Sequence, residues 1–519
     1  MSVKVLTKTG ITLAFGALIF APRLANLDGY INIDACLHWL WRSTSFWDHL
    51  AAGSPWGTYL AAHPGVTIML TTGASLRLGA LMKFGTADPW NHFRELMFFA
   101  KLPVALITGT ALVLIWATLR RYAGDRRFAL LALFFLAVDP FFLAHSRYLH
   151  LDAVNAVFML GCLLAVTVYL LHGRTRWLIL SGALLGLGLL TRSSSFALVP
   201  WVAGLVVLSG ARRGLAGFGR GLRDAAAWLG VGAIVIVMLW PVMWVGPVYA
   251  LKSVAGGVAS ASVNPHRAPG QELRDRKEKP LVNTHVYEAM LTHRSATAVV
   301  FGIAGFAVLV RRFVTRRAGQ LEALVACPVG FGICFLMGMS LFAKVGPRYV
   351  LVSYVAFQLL AAYGLYVTVK VVVDRSTRPA VKRAAVAAML ALCAWSAFEV
   401  FRLHPHYGSF SGLRARRHYG WGEGLEQIAA HLNAKDDPTG LAVASFYPCV
   451  LSRHFVGTTL ELDAAENGEP GIDYVVLYDS QVKRGLYPSV IRRYRSEGAA
   501  EPEFVAVING VEYAWLYAR

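Results

Sequence analysis

Long apolar runs recur through the first 400 residues of this chain and restrict its fold more than any other feature. A run of about 20 apolar residues matches the hydrocarbon thickness of a bilayer, and in lipid it must be a helix because only then are its backbone hydrogen bonds satisfied. Hydrophobic residues make up 56% of the 519 residues and charged residues 15%, with a mean hydropathy of +0.50. The sequence therefore predicts an all-α polytopic membrane protein and excludes an ordinary soluble domain.

The distribution of basic residues predicts how the spans are oriented. The net charge is +20, but residues 402–519 carry 12 Lys and Arg against 14 Asp and Glu, so the excess belongs to the membrane part and does not indicate nucleic-acid binding. Basic clusters follow alternate spans and together hold 21 basic and 3 acidic residues, as cytoplasmic loops do. The clusters are Lys4 with Lys8, RRYAGDRR, HGRTR, ARRGLAGFGRGLRD, RRFVTRR and KVVVDRSTRPAVKR.

One ambiguous segment decides the number of spans. If residues 63–84 crossed the membrane, every later loop would be inverted, so we interpret them as an interfacial or re-entrant helix within a long first outer loop, 23–95. A second large outer loop is expected at 248–295. The amino terminus is then cytoplasmic, the carboxyl terminus lies outside, and about 11 spans remain. They are 5–22, 96–119, 127–146, 151–171, 177–191, 194–210, 226–247, 296–311, 321–343, 349–372 and 383–401, where 177–191 and 194–210 are short enough to form a re-entrant pair instead.

The composition changes after about residue 412. GLEQIAAHLNAK has the apolar spacing of a helix, and GLAVASFY, IDYVVLYD, EFVAVI and VEYAWLYA have the pattern of strands between turns. We therefore predict a transmembrane domain, 1–401, and a small extracytoplasmic α/β domain, 412–519. The six cysteines are scattered, so neither a disulfide framework nor a metal-binding pair is predicted, and we interpret them as small core residues.

With this topology, the unusual polar side chains collect on the outer side. Ionisable groups at membrane depth are costly and usually face a cavity or a partner, so their convergence predicts one polar cavity that opens outward. The candidate site residues are Asp34, His38, His63, Arg147, Asp152, Arg192, Lys344, Arg348 and Tyr349.

The two acids each have a structural and a functional interpretation. An isolated Asp34 is most simply a helix cap or a solvated loop acid. Two other roles compete with this: general base toward a hydroxyl, or ligand of a divalent cation that activates one. Asp152 lies five residues after Arg147, and the two form either an ion pair that stabilises the turn or part of a catalytic site. The sequence identifies no cofactor and no particular metal.

The basic residues also allow two interpretations. His63, which precedes Pro64, marks either a helix start or a helix terminus that binds a phosphate or carboxylate. Arg192, Lys344 and Arg348 are either span-end residues that snorkel to the interface or a group that binds phosphate, whose oxygens match the guanidinium fork. The histidines of the second outer loop have no zinc-site spacing.

Several short motifs follow one another in a recognisable order. They are Asp34 after the first span, HPG at 63–65, SRYLHLD, GLGLLTRSSSFALVP, LWPVMWVGP, AKVGPRYVLVSY and HPHYGSFSGLRARRHYGWGEGLEQIAAHLN. In this order they resemble the GT-C glycosyltransferase superfamily, in the branch of the dolichyl-phosphate-mannose-protein mannosyltransferases and the aminoarabinose transferases of lipid A. Two positions depart from the pattern, since Ala35 stands where the mannosyltransferases place Glu and Gly65 stands where the family commonly has a second proline.

The resemblance implies transfer of a sugar from a polyprenyl-phosphate donor to a hydroxyl of a protein, lipid or glycan at the outer face of a prokaryotic plasma membrane, with inversion. It implies that Asp34 is the catalytic acid of the first outer loop, that Asp152 is the second acidic position and that Arg192 lies near the lipid phosphate. Arg147, Lys344 and Arg348 are further expected phosphate ligands, and His38, His63 and Tyr349 are expected to contact the sugar or the acceptor.

Two other classes of function remain open at the level of the sequence. A secondary transporter would place its polar groups near the bilayer midplane on broken helices, often in repeated halves, whereas here they lie at span ends and no repeat is visible. An envelope scaffold protein would use the carboxyl-terminal domain as its working part and leave Asp34 without a role.

Overall fold

The computed structural model describes residues 15–263, 287, 290–291, 295–342, 346–403, 410–411, 416–417, 420–496 and 501–519. Within these residues the chain forms a bundle of long helices followed by a small mixed sheet. The helices of the bundle are α1 (Phe15–Leu24), α2 (Leu40–Ala51), α3 (Val66–Phe84), α4 (Met97–Tyr122), α5 (Arg126–Ala137), α6 (Pro140–His145), α7 (Asp152–His172), α8 (Thr175–Thr191), α9 (Leu198–Ala211), α10 (Leu215–Leu239), α11 (Val242–Val245), α12 (Pro247–Val263), α13 (Ala296–Val314), α14 (Gln320–Ser340), α15 (Leu351–Arg375) and α16 (Pro379–Leu403).

The bundle makes the chain a multi-span membrane protein. In the described part of the chain, eight helices are long and apolar enough to cross a membrane, where α9 is counted together with the 3-10 turn Ser193–Ala197 that precedes it. They are α4, α7, α9, α10, α13, α14, α15 and α16. Two shorter apolar helices, α1 and α8, coincide with two further predicted spans. The segment predicted as a span at 127–146 is divided into α5 and α6, because Asp139 caps α6 by accepting from the Phe142 N–H at 2.6 Å and Pro140 occupies its first turn.

The segment at 63–84 does form a helix, α3, which packs against α2 and α4 and is not among the eight. Helix α15 is the centre of the bundle and is almost entirely buried from Leu351 to Val367. Its Gly364 lies directly against the backbone of α13, where a Cβ would overlap the Phe301 carbonyl oxygen. Glycine therefore allows these two helices to approach more closely than larger residues would.

The carboxyl-terminal domain contains a five-stranded sheet, and the helix expected in GLEQIAAHLNAK is present as α17 (Leu425–Asn433). Short strands β1 (Phe410–Ser411) and β2 (Arg416–Arg417) precede it. The sheet has the order β4-β3-β5-β7-β6, in which β3 is parallel to β4 and β5, and β7 is antiparallel to β5 and β6. Its strands are β3 (Ala442–Ser445), β4 (Thr458–Glu461), β5 (Tyr474–Tyr478), β6 (Phe504–Ile508) and β7 (Val511–Ala518). Four of them coincide with the predicted strands, whereas β4 was not predicted; it is a short edge strand without a buried face.

The interpretation of all six cysteines as small core residues is wrong for three of them, because Cys334 is exposed and Cys36 and Cys449 are paired. Cys36 and Cys449 form a disulfide across 413 residues, with their Cα atoms 6.2 Å apart, and so join the first loop to the carboxyl-terminal domain. Cys162, Cys327 and Cys393 are free and at least partly buried. No spacing rule could indicate a pair so distant in sequence, because the two cysteines meet only when the domain packs on the bundle.

Replacing Cys36 by Ser should lower the melting temperature of the detergent-solubilised protein, because a native disulfide typically contributes roughly 2–4 kcal/mol. Cys393→Ser, which removes a free cysteine, is the control and should melt as the wild type does. Reducing agent should lower the melting temperature of the wild type and of the control but not that of Cys36→Ser. Equal melting temperatures for Cys36→Ser and Cys393→Ser would contradict a stabilising disulfide between Cys36 and Cys449.

Candidate functional site

Four helix ends and one loop bring ionisable groups together at one end of the bundle. Asp34 precedes the π-helical turn Ala35–Trp39 that leads into α2. Asp152 is the first residue of α7, with His150 two residues before it, and Arg192 directly follows α8. Arg348 lies in the 3-10 turn Pro347–Val350 that leads into α15. We call Asp34, His150, Asp152, Arg192 and Arg348 the acid cluster.

His150 lies between the two carboxylates. Its Nε2 is 3.1 Å from Oδ2 of Asp34, and its Nδ1 is 2.9 Å from Oδ2 of Asp152. Arg348 donates from Nη1 to Oδ2 of Asp34 at 2.8 Å, and its Nε is 4.0 Å from Oδ2 of Asp152. Arg192 forms an ion pair with Oδ1 of Asp152. Each acid therefore has its own arginine, and the imidazole connects the two pairs.

Asp34 and Asp152 differ in how far their side chains are exposed. The Asp152 side chain is 2% exposed, whereas that of Asp34 is 22% exposed. Both contacts of Asp34 fall on Oδ2, and Oδ1 has no partner among the residues that the structure describes. A molecule that enters the site can therefore reach one carboxylate oxygen of Asp34 but not those of Asp152.

The surroundings set the protonation of the cluster. Burial alone would raise the pKa of Asp34, but Arg348 and His150 outweigh burial and hold this pKa well below its usual range. Burial lowers the pKa of His150 to about 4, although Asp34 acts in the opposite direction. At neutral pH, Asp34 is therefore a carboxylate and His150 a neutral imidazole. A neutral imidazole carries one N–H and so donates to one of the two acids at a time.

The carboxyl-terminal domain reaches the acid cluster through the turn 420–424. Gly420, Gly422 and Gly424 have φ of 68°, 116° and 89°, in the left-handed region that favours glycine. The turn places the ring of Trp421 at 4.1 Å from the Arg348 guanidinium and at 5.5 Å, centroid to centroid, from His150. The domain therefore supplies an aromatic wall to a site whose charged groups all come from the bundle.

A buried carboxylate holds this turn in place. Glu423 is 0% exposed and accepts hydrogen bonds from the hydroxyls of Tyr148, at 2.9 Å, and of Tyr478, at 3.2 Å. It also accepts from the Trp421 N–H at 2.5 Å, while the Trp421 carbonyl accepts from the N–H of Ile33 at 2.8 Å. The turn is thus fixed both to its own sheet and to the segment immediately before Asp34.

An apolar groove of about 480 Å³ ends beside the acid cluster. Arg192, His63 and Tyr349 line its polar end, together with Ser193 and Ser194, and the Arg192 guanidinium stacks on the Tyr349 ring at 4.2 Å. The remaining wall is apolar and comes from α9, α14 and the turn before α9. Its larger side chains are Phe196, Trp201, Phe331, Phe335, Met339 and Phe342.

Gly65 has a structural reason to replace a proline. It begins α3 with a φ of +61°, which a proline cannot adopt, and a Cβ there would overlap the ring of Trp39. The Gly65 N–H donates to the Thr191 carbonyl at 3.3 Å, and the Thr67 hydroxyl bonds that of Thr191 at 2.7 Å. The HPG segment is therefore packed against the end of α8, directly before Arg192.

The structure brings most of the sequence-predicted site residues together. Asp34, Asp152, Arg192 and Arg348 form the acid cluster, and His63 and Tyr349 line the groove beside it. His38 is half-buried in the turn after Asp34, and burial and Arg42 lower its pKa. Arg147 instead donates to the carbonyls of Ala25 and Asn26 and is not brought to the cluster. Lys344 lies outside the described residues.

Two residues of the site were not predicted. His150 lies within SRYLHLD, and an ionisable residue beside Asp152 at a span end was the signal that could have identified it. Trp421 lies within the GWGEGLE stretch, but nothing in the sequence indicates that the domain reaches the cluster. In the part of the chain that the structure describes, no three His, Cys, Asp or Glu residues are arranged to hold a metal ion.

Comparison with known proteins finds one matching family model and solved structures of similar fold. Residues 93–244 match the family model of the dolichyl-phosphate-mannose-protein mannosyltransferases, a segment that includes His150, Asp152 and Arg192. ArnT from Cupriavidus metallidurans, bound to undecaprenyl phosphate, has a similar fold with a TM-score of 0.51 and 15% identity, over 98% of each chain. The chain therefore has the fold of this solved structure and matches the mannosyltransferase family model over part of its length.

A second structure supports the same fold. The archaeal oligosaccharyltransferase AglB from Archaeoglobus fulgidus, in complex with an inhibitory peptide and a dolichol-phosphate, aligns with a TM-score of 0.54 at 14% identity. The alignment covers 99% of this chain and 74% of AglB. Among curated proteins, no sequence matches this chain. The chain therefore resembles ArnT and AglB in fold at low sequence identity.

Acidification should destabilise the protein through His150. The folded pKa of about 4 lies below the ordinary value of 6.5, so between these values the unfolded chain binds more protons and stability falls as the pH falls. The difference amounts to about 3 kcal/mol at most, at 1.36 kcal/mol per pKa unit. The melting temperature of His150→Gln relative to the wild type should therefore rise as the pH is lowered from 6.5 to 4. If the melting temperatures of the two proteins changed equally with pH, this result would contradict a buried neutral imidazole at position 150.

Proposed function

We propose that this protein is a GT-C glycosyltransferase that transfers a glycosyl residue from a polyprenyl-phosphate sugar to an acceptor hydroxyl of a protein, lipid or glycan, with inversion and with Asp34 as general base. The observation that carries the proposal is the position of Arg192, which lines the polar end of the apolar groove and also pairs with Asp152 in the acid cluster. One arginine thus belongs to both the groove and the cluster. A lipid tail with a phosphate at its head has the same division into apolar and charged parts.

The groove suits such a donor in shape and chemistry. Its aromatic and aliphatic wall would hold isoprene units, and Arg192 would bind the phosphate, whose oxygens match a guanidinium fork. Arg348 and Lys344 are proposed as further phosphate ligands. Undecaprenyl phosphate in ArnT and dolichol-phosphate in AglB are lipids of this class bound to proteins of this fold. We leave Arg147 out of the phosphate site because its guanidinium binds backbone carbonyls.

Asp34 has the properties of a base for the acceptor hydroxyl. Arg348 and His150 hold its Oδ2, so the carboxylate is fixed and ionised, while Oδ1 is available to accept a proton. In the proposed step, the acceptor oxygen forms a bond to the anomeric carbon as the bond from that carbon to the phosphate oxygen breaks. The bonding electrons leave with the polyprenyl phosphate, and the hydroxyl proton passes to Oδ1. Attack opposite the leaving phosphate inverts the anomeric carbon.

Asp152 is a positioning residue in this scheme. It is almost fully buried and contacts Arg192 and His150, so it holds the arginine that meets the phosphate and the imidazole that meets Asp34. A charge as buried as this must be paired to be tolerated. We propose that His38, His63 and Tyr349 contact the sugar or the acceptor.

A disulfide outside the acid cluster supports the compartment that we propose. The Cys36–Cys449 disulfide supports an oxidising environment at the acid cluster end of the bundle, because disulfides rarely persist in the cytosol. Together with the basic clusters at the other end, this supports an orientation in a prokaryotic plasma membrane with the amino terminus cytoplasmic. In this orientation residues 1–401 form the transferase domain, and 412–519 form an extracytoplasmic domain that completes the site through Trp421.

Asp34→Asn should reduce transfer from a labelled polyprenyl-phosphate sugar by roughly 10²- to 10⁴-fold, because an amide cannot take the hydroxyl proton. Asp88→Asn, which removes an exposed acid of the same loop, is the matched control and should retain activity. Melting temperatures of both variants show whether they fold. Full transfer by Asp34→Asn would exclude Asp34 as base, and absence of transfer by the wild type with every donor would favour a transporter or a scaffold.

Arg192→Lys should raise the apparent KM for the donor by roughly 10- to 100-fold, the value of a charged hydrogen bond, with a smaller effect on kcat. Lysine keeps Asp152 paired but loses the fork that binds two phosphate oxygens. Arg174→Lys, at the exposed opposite end of α8, is the control. An unchanged donor KM in Arg192→Lys would show that this arginine does not bind the phosphate of the donor.

A further inference from the structure

The exposed surface around the carboxyl end of α10 is apolar. Ile234, Val237 and Met238, in the last turns of α10, are exposed, and in a helix long and apolar enough to cross a membrane such side chains face lipid. The chain then turns through α11 into α12, where Trp244 and Val248 are 60% and 63% exposed. One apolar surface thus continues from the span into the segment that follows it.

Trp244 connects the two parts of this surface. Its Nε1–H donates to the Val237 carbonyl oxygen at 2.6 Å, so the indole ring is folded back against the last turns of α10. This carbonyl cannot accept from the residue four positions later, because that residue is Pro241, which has no N–H. An unpaired carbonyl is costly where water is scarce. An indole is well suited to such a place, since its ring is apolar and its N–H donates, and tryptophan is enriched at membrane interfaces.

This surface lies at the acid cluster end of the bundle. Trp240, directly after α10, donates from Nε1 to the Thr58 carbonyl at 3.2 Å, and the Val242 N–H donates to the Thr58 hydroxyl at 3.0 Å. Five residues after Thr58, the chain reaches His63, which lines the apolar groove beside the cluster. The surface therefore belongs to the same side of the membrane as the acid cluster.

Helix α12 has one face on the protein and another toward the surroundings. Ala250 and Val254 are buried, and Val258, one turn further along the same face, lines the apolar groove. Val248 and Leu251 project away from this face and are exposed. A helix that faced water there would carry polar side chains instead. Lys252, exposed beside Val248 and Leu251, has a side chain long enough to reach lipid phosphates while its stem covers apolar surface.

We propose that this surface contacts phospholipid, with Trp244, Val245 and Val248 where the headgroups meet the acyl chains. Its direct continuation from the lipid-facing side of α10 favours a bilayer over a second copy of the chain. The second outer loop expected at 248–295 then begins in the membrane surface and not in water. The inference does not use the transfer reaction. Because Val258 of the same helix lines the apolar groove, contact with lipid would hold one wall of that groove at the membrane.

The test introduces the photoreactive residue p-benzoylphenylalanine into the full-length protein in phosphatidylcholine nanodiscs and measures the mass of the products after irradiation. Val248→p-benzoylphenylalanine should gain the mass of a phosphatidylcholine molecule, and Leu251→p-benzoylphenylalanine is a second reporting position on the same exposed face. Ile234→p-benzoylphenylalanine, on the lipid-facing side of α10, is the positive control. Val507→p-benzoylphenylalanine, exposed on β6 of the carboxyl-terminal domain, is the negative control.

Melting temperatures near that of the wild type show that the variants fold. The lipid adduct should form at Val248, Leu251 and Ile234 and be lost at Val507. Products with the mass of two protein chains at Val248 and Leu251 would overturn the inference and indicate an interface between two copies. A lipid yield at these two positions as low as that at Val507 would also overturn it, because the surface would then face water.

Discussion

Two carboxylates and two guanidinium groups surround one imidazole, and this balance of charge is the constraint on which the rest of the structure depends. Asp152 is buried, and removing the partner of a buried charge typically costs about 3–5 kcal/mol. Its partner Arg192 comes from the end of α8, and Arg348 comes from the turn before α15. The starts of α7 and α15 and the end of α8 must therefore meet with Asp34 at one place. The bundle can vary elsewhere more freely than at this end.

The same constraint extends to the carboxyl-terminal domain. Arg348 lies between Asp34 and the ring of Trp421, so the position of the guanidinium depends on a residue outside the bundle. Glu423 holds the turn that carries this ring, and the disulfide at Cys36 and Cys449 joins the same two parts of the chain close to Asp34. A loose domain would leave Arg348 with only part of its contacts. The domain is thus best understood as one wall of the site and not as an appendage.

The sequence predicted those features that arise from local pattern. Apolar length predicted the helices, and short runs of strand-forming residues between turns predicted four of the five strands of the sheet, because both are properties of neighbouring residues. The disulfide and the contact of Trp421 with Arg348 could not be predicted, since they join segments that meet only in the packed structure. His150 was overlooked although it lies beside Asp152, and Arg147 was grouped with the phosphate ligands because charge alone does not show whether a guanidinium faces a cavity or a backbone carbonyl.

The two departures from the mannosyltransferase pattern are explained by packing. Ala35 is fully buried next to Asp34, so a glutamate there would place a second charge in an apolar cluster without a partner. Gly65 needs a backbone conformation that proline cannot adopt. Among the described residues, the site therefore presents one accessible acid. For the transfer that we propose, one is enough, because a phosphate bound by arginine is already a stable leaving group and needs no acid to protonate it. The remaining requirement is a base for the acceptor, and the available Oδ1 of Asp34 meets it.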